Sequence, residues 1–123
     1  IVSLTAYSKK IAEILDKYCD IILVGDSMAN VLYGMKNTNQ ITIDNIIQHS
    51  ISVSKGVKKS LLVVDMPRST CKNFIQARKN AKLICVSLTS ECLIWHCFSG
   101  FFEKLVLHSR VKTHVLGRTC PTW

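Results

Sequence analysis

Two aspartates, Asp26 and Asp65, each follow a short apolar run, Ile21-Ile22-Leu23-Val24-Gly25 before the first and Leu61-Leu62-Val63-Val64 before the second. Runs of this kind read as strands buried on both faces. Each strand then delivers a carboxylate, at its C-terminal end, into a loop. In open sheets and barrels of parallel strands that end is where ligands bind. Two carboxylates placed there can share a hard, oxygen-preferring cation such as Mg²⁺ and leave its other positions to water and substrate. Ser27 follows Asp26 directly. Its hydroxyl and backbone N–H suit a substrate carboxylate, and the same serine would serve a turn or a helix cap equally well.

The elements that must position these groups alternate between strand and helix. Residues 1–7 read as a first strand. Ser8 is a candidate N-cap, and Ile11, Ile14, Leu15 and Tyr18 then recur at helical spacing, with Lys9, Lys10, Glu13, Asp16 and Lys17 outside. After the second strand, a loop over residues 26–40 contains Gly34 and a polar run from Lys36 to Gln40. Thr42 predicts the N-cap of a second helix, with Ile43, Ile46, Ile47 and Ile51 on one face and Gly56 as its stop. The third strand covers residues 61–64. A third helix fits residues 72–83, with Phe74, Ile75, Ala77 and Ala81 inward. Such alternation argues a parallel α/β sheet.

The words around the aspartates resemble one family. Leu4-Thr5-Ala6-Tyr7, Leu23-Val24-Gly25-Asp26-Ser27, Ile41-Thr42-Ile43-Asp44 with His49, Lys55-Gly56 and Val64-Asp65-Met66-Pro67 occur in that order. Together they resemble ketopantoate hydroxymethyltransferase over roughly residues 1–84. The resemblance implies a (β/α)₈ TIM barrel, of which this chain would hold the first three to four strand–helix units, followed by an irregular C-terminal tail. It implies Mg²⁺ on Asp26 and Asp65, with substrate bound by Asp26, Ser27 and Asp65. The implied reaction is Lewis-acid activation of 3-methyl-2-oxobutanoate at C3, attack on the methylene unit of 5,10-methylenetetrahydrofolate, and release of ketopantoate, the first committed step of pantothenate synthesis. The family's general base lies beyond residue 123, so the resemblance assigns no catalytic residue here. His49 sits within the second helix, where packing or hydrogen bonding is expected of it. The family assembles into homo-oligomeric rings.

The chain departs from the pattern in places. Ser8 stands where the family has aspartate, Met28-Ala29-Asn30 where it is glycine-rich, Gln40 for proline, Arg68 for an aromatic and Cys71 for tyrosine. After about Ile84 periodicity is poor. Where a Lys-Ile-Glu-Gly/Ser-Gly word is expected, the chain reads His96-Cys97-Phe98-Ser99-Gly100, with His96 for the lysine and Phe98 for the glutamate. Further on, Arg118 follows Gly117 where histidine is expected. The expectation is therefore two regions: residues 1–84 as the N-terminal part of the barrel, and 85–123 as a degenerate or frameshifted continuation. The start at Ile1, directly in a strand word, suggests missing upstream residues. A rival reading is a non-catalytic remnant, or a half-barrel module that assembles with another chain.

Composition narrows the classes. At 123 residues the chain can form one domain, against about 250 for a complete barrel. No run is long enough to span a bilayer and no signal peptide is evident, so a cytoplasmic protein without a membrane partner is expected. The net charge of +8 is uneven: residues 1–50 carry four Lys against five Asp/Glu, and residues 51–123 carry twelve Lys/Arg against three. Lys55, Lys58, Lys59, Lys72, Arg78, Lys79 and Lys82 are scattered, without interleaved aromatics. That pattern favours a solvated or docking face over nucleic acid, and a folate's glutamate tail is a possible beneficiary. Cys92, His96, Cys97, His108, His114 and Cys120 are metal-ligand types, but no Cys-x-x-Cys pair exists and His108 and His114 are widely spaced, so zinc is not expected. Without secretory context the cysteines are expected to be free thiols.

Overall fold

A computed structural model describes the backbone of residues 1–88, 92–98, 101–107 and 114–116, and the side chains of residues 1–88 with Cys92 and Ile94. Strand β1 (Ser3–Thr5) leads to helix α1 (Lys9–Leu15), then β2 (Ile21–Val24), a short α2 (Met28–Val31), α3 (Ile43–Ser54), β3 (Leu61–Asp65) and α4 (Phe74–Ser87). Three more strands follow, β4 (Cys92–Phe98), β5 (Phe101–Leu107) and β6 (His114–Leu116). All six form one sheet in sequence order. β1 to β4 are parallel neighbours, whereas β5 runs antiparallel to β4 and β6 antiparallel to β5. Consecutive parallel strands joined by helices are the arrangement of a partial TIM-barrel-like fold.

The tail from residue 85 thus departs from the expected irregularity. Helix α4 runs on to Ser87, and β4 extends the parallel sheet with Asp65 opposite Trp95. The hairpin was legible: Cys92–Phe98 and Phe101–Leu107 are rich in apolar and aromatic residues and are separated by Ser-Gly, a two-residue hairpin signal. His96 and Phe98 fall on β4 and His114 on β6, whereas Ser99, Gly100, His108, Arg118 and Cys120 lie outside the described residues.

The core forms where one face of the sheet meets the helices. Ile22 and Val24 of β2, Leu62 and Val64 of β3 and Ile94 of β4 are fully buried and cluster with Ala12, Ile46, Val53, Ala81 and Ile84. The alternate residues Ile21, Leu23 and Val63 are only part-buried and Leu61 is exposed. These strands are therefore buried on one face, not both. In a closed barrel the other face would be lined by the opposing strands.

Capping and close packing set the helix positions. Thr42 is the N-cap of α3: its hydroxyl accepts from the Asn45 N–H, while Asn45 Oδ1 accepts from the Thr42 N–H. Ser8 occupies the N-cap of α1 without a side-chain cap bond, and α4 begins at Phe74, not at the expected residue 72, with Asn73 as its N-cap accepting from the Gln76 N–H. Gly56 follows the end of α3, but close approach is what demands glycine there. A Cβ would run into the Lys9 carbonyl oxygen and sit 3.0 Å from Ala12 Cβ. Backbone contact through Ala12 turns α1 away from the expected face, leaving Ile11 and Ile14 about half exposed and Tyr18 more so. In α4 the buried stripe is Ala77, Ala81 and Ile84, while Phe74 and Ile75 are exposed. Ile75 lies about 200° around the helix from Ala77, so the two cannot share a face.

Asp16, at the end of α1, is nearly buried and ties that helix to the start of β3. Its carboxylate accepts from the backbone N–H groups of Lys58, Lys59 and Ser60 at 2.8–3.1 Å. Burial alone would raise its pKa; the backbone donors more than offset that and hold it below the usual 3.8. At the start of β4, level with Leu62 of β3, the Cys85 and Cys92 thiols lie 3.7 Å apart and join α4 to β4. The hydrogen bond from Cys92 lowers the Cys85 pKa, and the same bond with burial pushes Cys92 up. The seven cations from Lys55 to Lys82 named above are all exposed. Among the described residues no helix is long and apolar enough to cross a membrane.

Candidate active site

The sheet register brings the two aspartates together. Val24 pairs with Val64, so Asp65 ends β3 beside Gly25 and Asp26 stands one residue further along β2's direction. Both carboxylates are half-buried at the C-terminal ends of adjacent parallel strands. Their proximity is felt in Asp65, whose pKa is pushed up to about 7 by burial first and by the Asp26 charge second. The backbone N–H groups of Asp26 and Met66 donate to Asp65 and offset only part of this. Two carboxylates that repel in a partly desolvated site, offering oxygen donors alone, fit a hard divalent cation. No group of three or more metal-ligating side chains occurs among the described residues, so a cation held here would keep open positions.

Ser27 lies at the start of α2 and is exposed. It makes no side-chain cap bond. Instead its Oγ lies 2.8 Å from the Tyr7 hydroxyl. Gly25 permits this arrangement, because a Cβ there would press to 3.1 Å against Ser27 Oγ. Tyr7 follows β1, level with Gly25 when the Thr5–Leu23 pairing is extended. Three strand ends thus supply Tyr7, the Asp26–Ser27 pair and Asp65.

His49 reaches this region from α3, and its role is hydrogen bonding, as its helical position suggests. Nδ1 is 2.7 Å from the Tyr7 carbonyl oxygen and Nε2 is 3.0 Å from the Tyr33 hydroxyl. Its ring meets those of Tyr7 and Tyr33 edge-on, at centroid separations of 6.4 and 6.0 Å. The sequence reading singled out Asp26, Ser27, Asp65 and His49 but missed Tyr7 and Tyr33. Tyr7 was visible as a polar-tipped aromatic where the first strand runs out. Tyr33, in a loop, carried no signal of its own.

Other residues near the site illustrate the departures noted above. Arg68 is exposed in the turn after Met66-Pro67. Cys71 is buried, with its thiol 3.5 Å from the carbonyl oxygens of Pro67 and Arg68. By register, His96 lies one residue past Trp95, the partner of Asp65.

Comparison with known proteins agrees with the geometry. A family model described as ketopantoate hydroxymethyltransferase matches residues 1–92. A 3-methyl-2-oxobutanoate hydroxymethyltransferase of Pelagibacter ubique is 57% identical over 84 residues, covering 68% of this chain and 33% of that protein. Proteins of the same name from Rhizobium rhizogenes and Brucella canis are 52% and 49% identical over 67 residues, covering 54% of this chain and 24% of each relative. The chain spans a third or less of the length of these relatives.

Proposed function

The chain belongs to the ketopantoate hydroxymethyltransferase family, and from that premise we propose that its strand ends form the metal- and ketoacid-binding part of a 3-methyl-2-oxobutanoate hydroxymethyltransferase site. The observation that carries this reading is the meeting of Asp26 and Asp65 at adjacent parallel strand ends, where burial first and the Asp26 charge second raise Asp65 to about 7. Mg²⁺ held by Asp26 and Asp65 would supply Lewis-acid polarisation of the ketoacid carbonyl. Ser27, exposed beside them, binds the ketoacid carboxylate through its hydroxyl. The Asp26 and Met66 N–H donors favour the ionised form of Asp65, and a cation on the pair would favour it further. Removal of the C3 proton is assigned to no side chain of this chain. The one-carbon donor is 5,10-methylenetetrahydrofolate, the setting cytoplasmic, and the pathway pantothenate synthesis.

Calorimetric titration tests the reading. The chain should bind Mg²⁺, and 3-methyl-2-oxobutanoate only when Mg²⁺ is present, with both lost in Asp26→Asn. Ketoacid binding that ignores Mg²⁺, or Mg²⁺ binding untouched by Asp26→Asn, sinks the proposal. Ketopantoate formation with methylenetetrahydrofolate, abolished by Asp26→Ala, would extend it to complete turnover.

One observation favours a second reading, assembly with a separate chain that carries further strands. Among the described residues β1 pairs only with β2, and Leu4 on the strand, Val2 just before it and Ile11 and Ile14 on α1 are exposed. An unpaired edge beside apolar side chains is a surface made to be covered. Co-purification with a second polypeptide, lost on Leu4→Lys, is the outcome expected of it.

A further inference from the structure

Two sets of hydrogen bonds stand behind Ser27: one runs from Asn45 through Tyr33 and His49 to the Tyr7 carbonyl, and the other joins the Tyr7 hydroxyl to Ser27. Asn45 Oδ1 accepts from the Thr42 N–H at 3.3 Å and lies 2.5 Å from Thr42 Oγ1. The capping box therefore fixes which way the Asn45 amide faces, and its Nδ2 donates to the Tyr33 hydroxyl at 3.4 Å. At the far side of His49, the Tyr7 carbonyl can only accept, so Nδ1 carries the proton. In the neutral ring Nε2 must then accept, and the one proton of the Tyr33 hydroxyl goes to it. Helix α3 thus grips the main chain of Tyr7, while the edge-on His49 ring stands against its aromatic ring.

The last link decides what Ser27 can do. Tyr7 Oη and Ser27 Oγ have one proton each and share a single 2.8 Å contact. If Ser27 donates to Tyr7, its proton is spent. If Tyr7 donates to Ser27, the serine proton is free to point into the site. A carboxylate ligand accepts only, and it selects the second arrangement. We infer that Tyr7 is a positioning residue, fixed by His49, whose hydroxyl donates to Ser27 Oγ and so presents the Ser27 proton to the carboxylate of the 2-oxoacid. This rests on the ketoacid reading above and adds to it a residue that touches Ser27 rather than the ligand. Aligning a donor before the ligand arrives spares the ordering of a free hydroxyl rotor on binding.

The test is calorimetry on the full chain with two probes, Mg²⁺ alone and 3-methyl-2-oxobutanoate with Mg²⁺. Tyr7→Phe should leave Mg²⁺ affinity within about twofold and weaken the ketoacid about tenfold, which is ~1.4 kcal/mol. Ser27→Ala should weaken it at least as much, and the double variant should be no worse than Ser27→Ala alone, since Tyr7 acts through that hydroxyl. His49→Asn, which keeps an N–H near the Nδ1 position, should retain ketoacid affinity within about twofold, whereas His49→Leu should fall about tenfold. A purely structural Tyr7 would give additive losses in the double variant and would weaken Mg²⁺ as well. Ketoacid affinity unchanged by Tyr7→Phe, or additive losses, overturns the positioning role and leaves the ketoacid site standing. Failure of the unsubstituted chain to bind ketoacid with Mg²⁺ overturns both.

Discussion

At the residue scale, Asp65 pulls stability in a direction opposite to that of a structural aspartate. Asp65 ionises in the folded chain near 7, well above the usual 3.8, because of burial and the Asp26 charge. Below 3.8 the group is protonated folded or unfolded and has no effect. As pH rises past 3.8 the unfolded chain loses the proton first, and a destabilising term grows until about 7, then stays constant. Asp65→Asn keeps an acceptor for the Asp26 and Met66 N–H groups but no charge. It should leave stability near pH 4 little changed and raise it by a few kcal/mol above about pH 7 in metal-free buffer. Urea unfolding at the two pH values measures this. Added Mg²⁺ should stabilise the unsubstituted chain and leave Asp65→Asn unmoved. The pair itself was legible in the sequence, because an apolar run followed by aspartate has few meanings. The Tyr7–Ser27 contact was not, since it depends on strand register across β1 and β2 and on which rotamer of Tyr7 His49 selects.

At the scale of elements, the first three strands and the Thr42 cap were legible because each rests on local chemistry. Helix faces were not. The expected stripe on α1 maximised apolar residues, yet the helix packs through Ala12 against Gly56 because a small-residue contact brings backbones closest. Nothing within α1 announces a glycine over forty residues away. The same holds for Asp16, which reads as an outward charge on a helix and proves to be the clamp on the Lys58–Ser60 backbone. Asp16→Ala leaves three N–H donors without their acceptor and should cost about 2–3 kcal/mol at neutral pH. The sign with pH is the reverse of Asp65: with its pKa held below 3.8, Asp16 stabilises fully above that value. That contribution disappears as pH falls through the depressed native pKa. The stability gap between Asp16→Ala and the unsubstituted chain should therefore narrow in acid, and urea midpoints at pH 7 and pH 2.5 would show it. A gap equal at both would mean that the carboxylate charge plays no part.

At the scale of the whole molecule, the sheet exposes apolar side chains along one flank, on β1 and α1. Covering them is worth roughly 25 cal/mol for each Å² of apolar area removed from water. The purified chain is expected to associate with rising concentration in sedimentation velocity, and Leu4→Lys should shift it toward monomer; association indifferent to that substitution would place the contact elsewhere. The opposite flank behaves differently because the chain reverses after β4. β5 pairs antiparallel with β4 along seven residues, from Cys92 opposite Leu107 to Phe98 opposite Phe101. It occupies the side on which a further parallel strand would have to be added. Beyond it β6 pairs antiparallel with β5. Among the described residues the parallel order is therefore open on the β1 side alone. Two copies that meet through β1 about a twofold axis cover each other's β1 edge, so that contact closes at a pair instead of running on into a fibre.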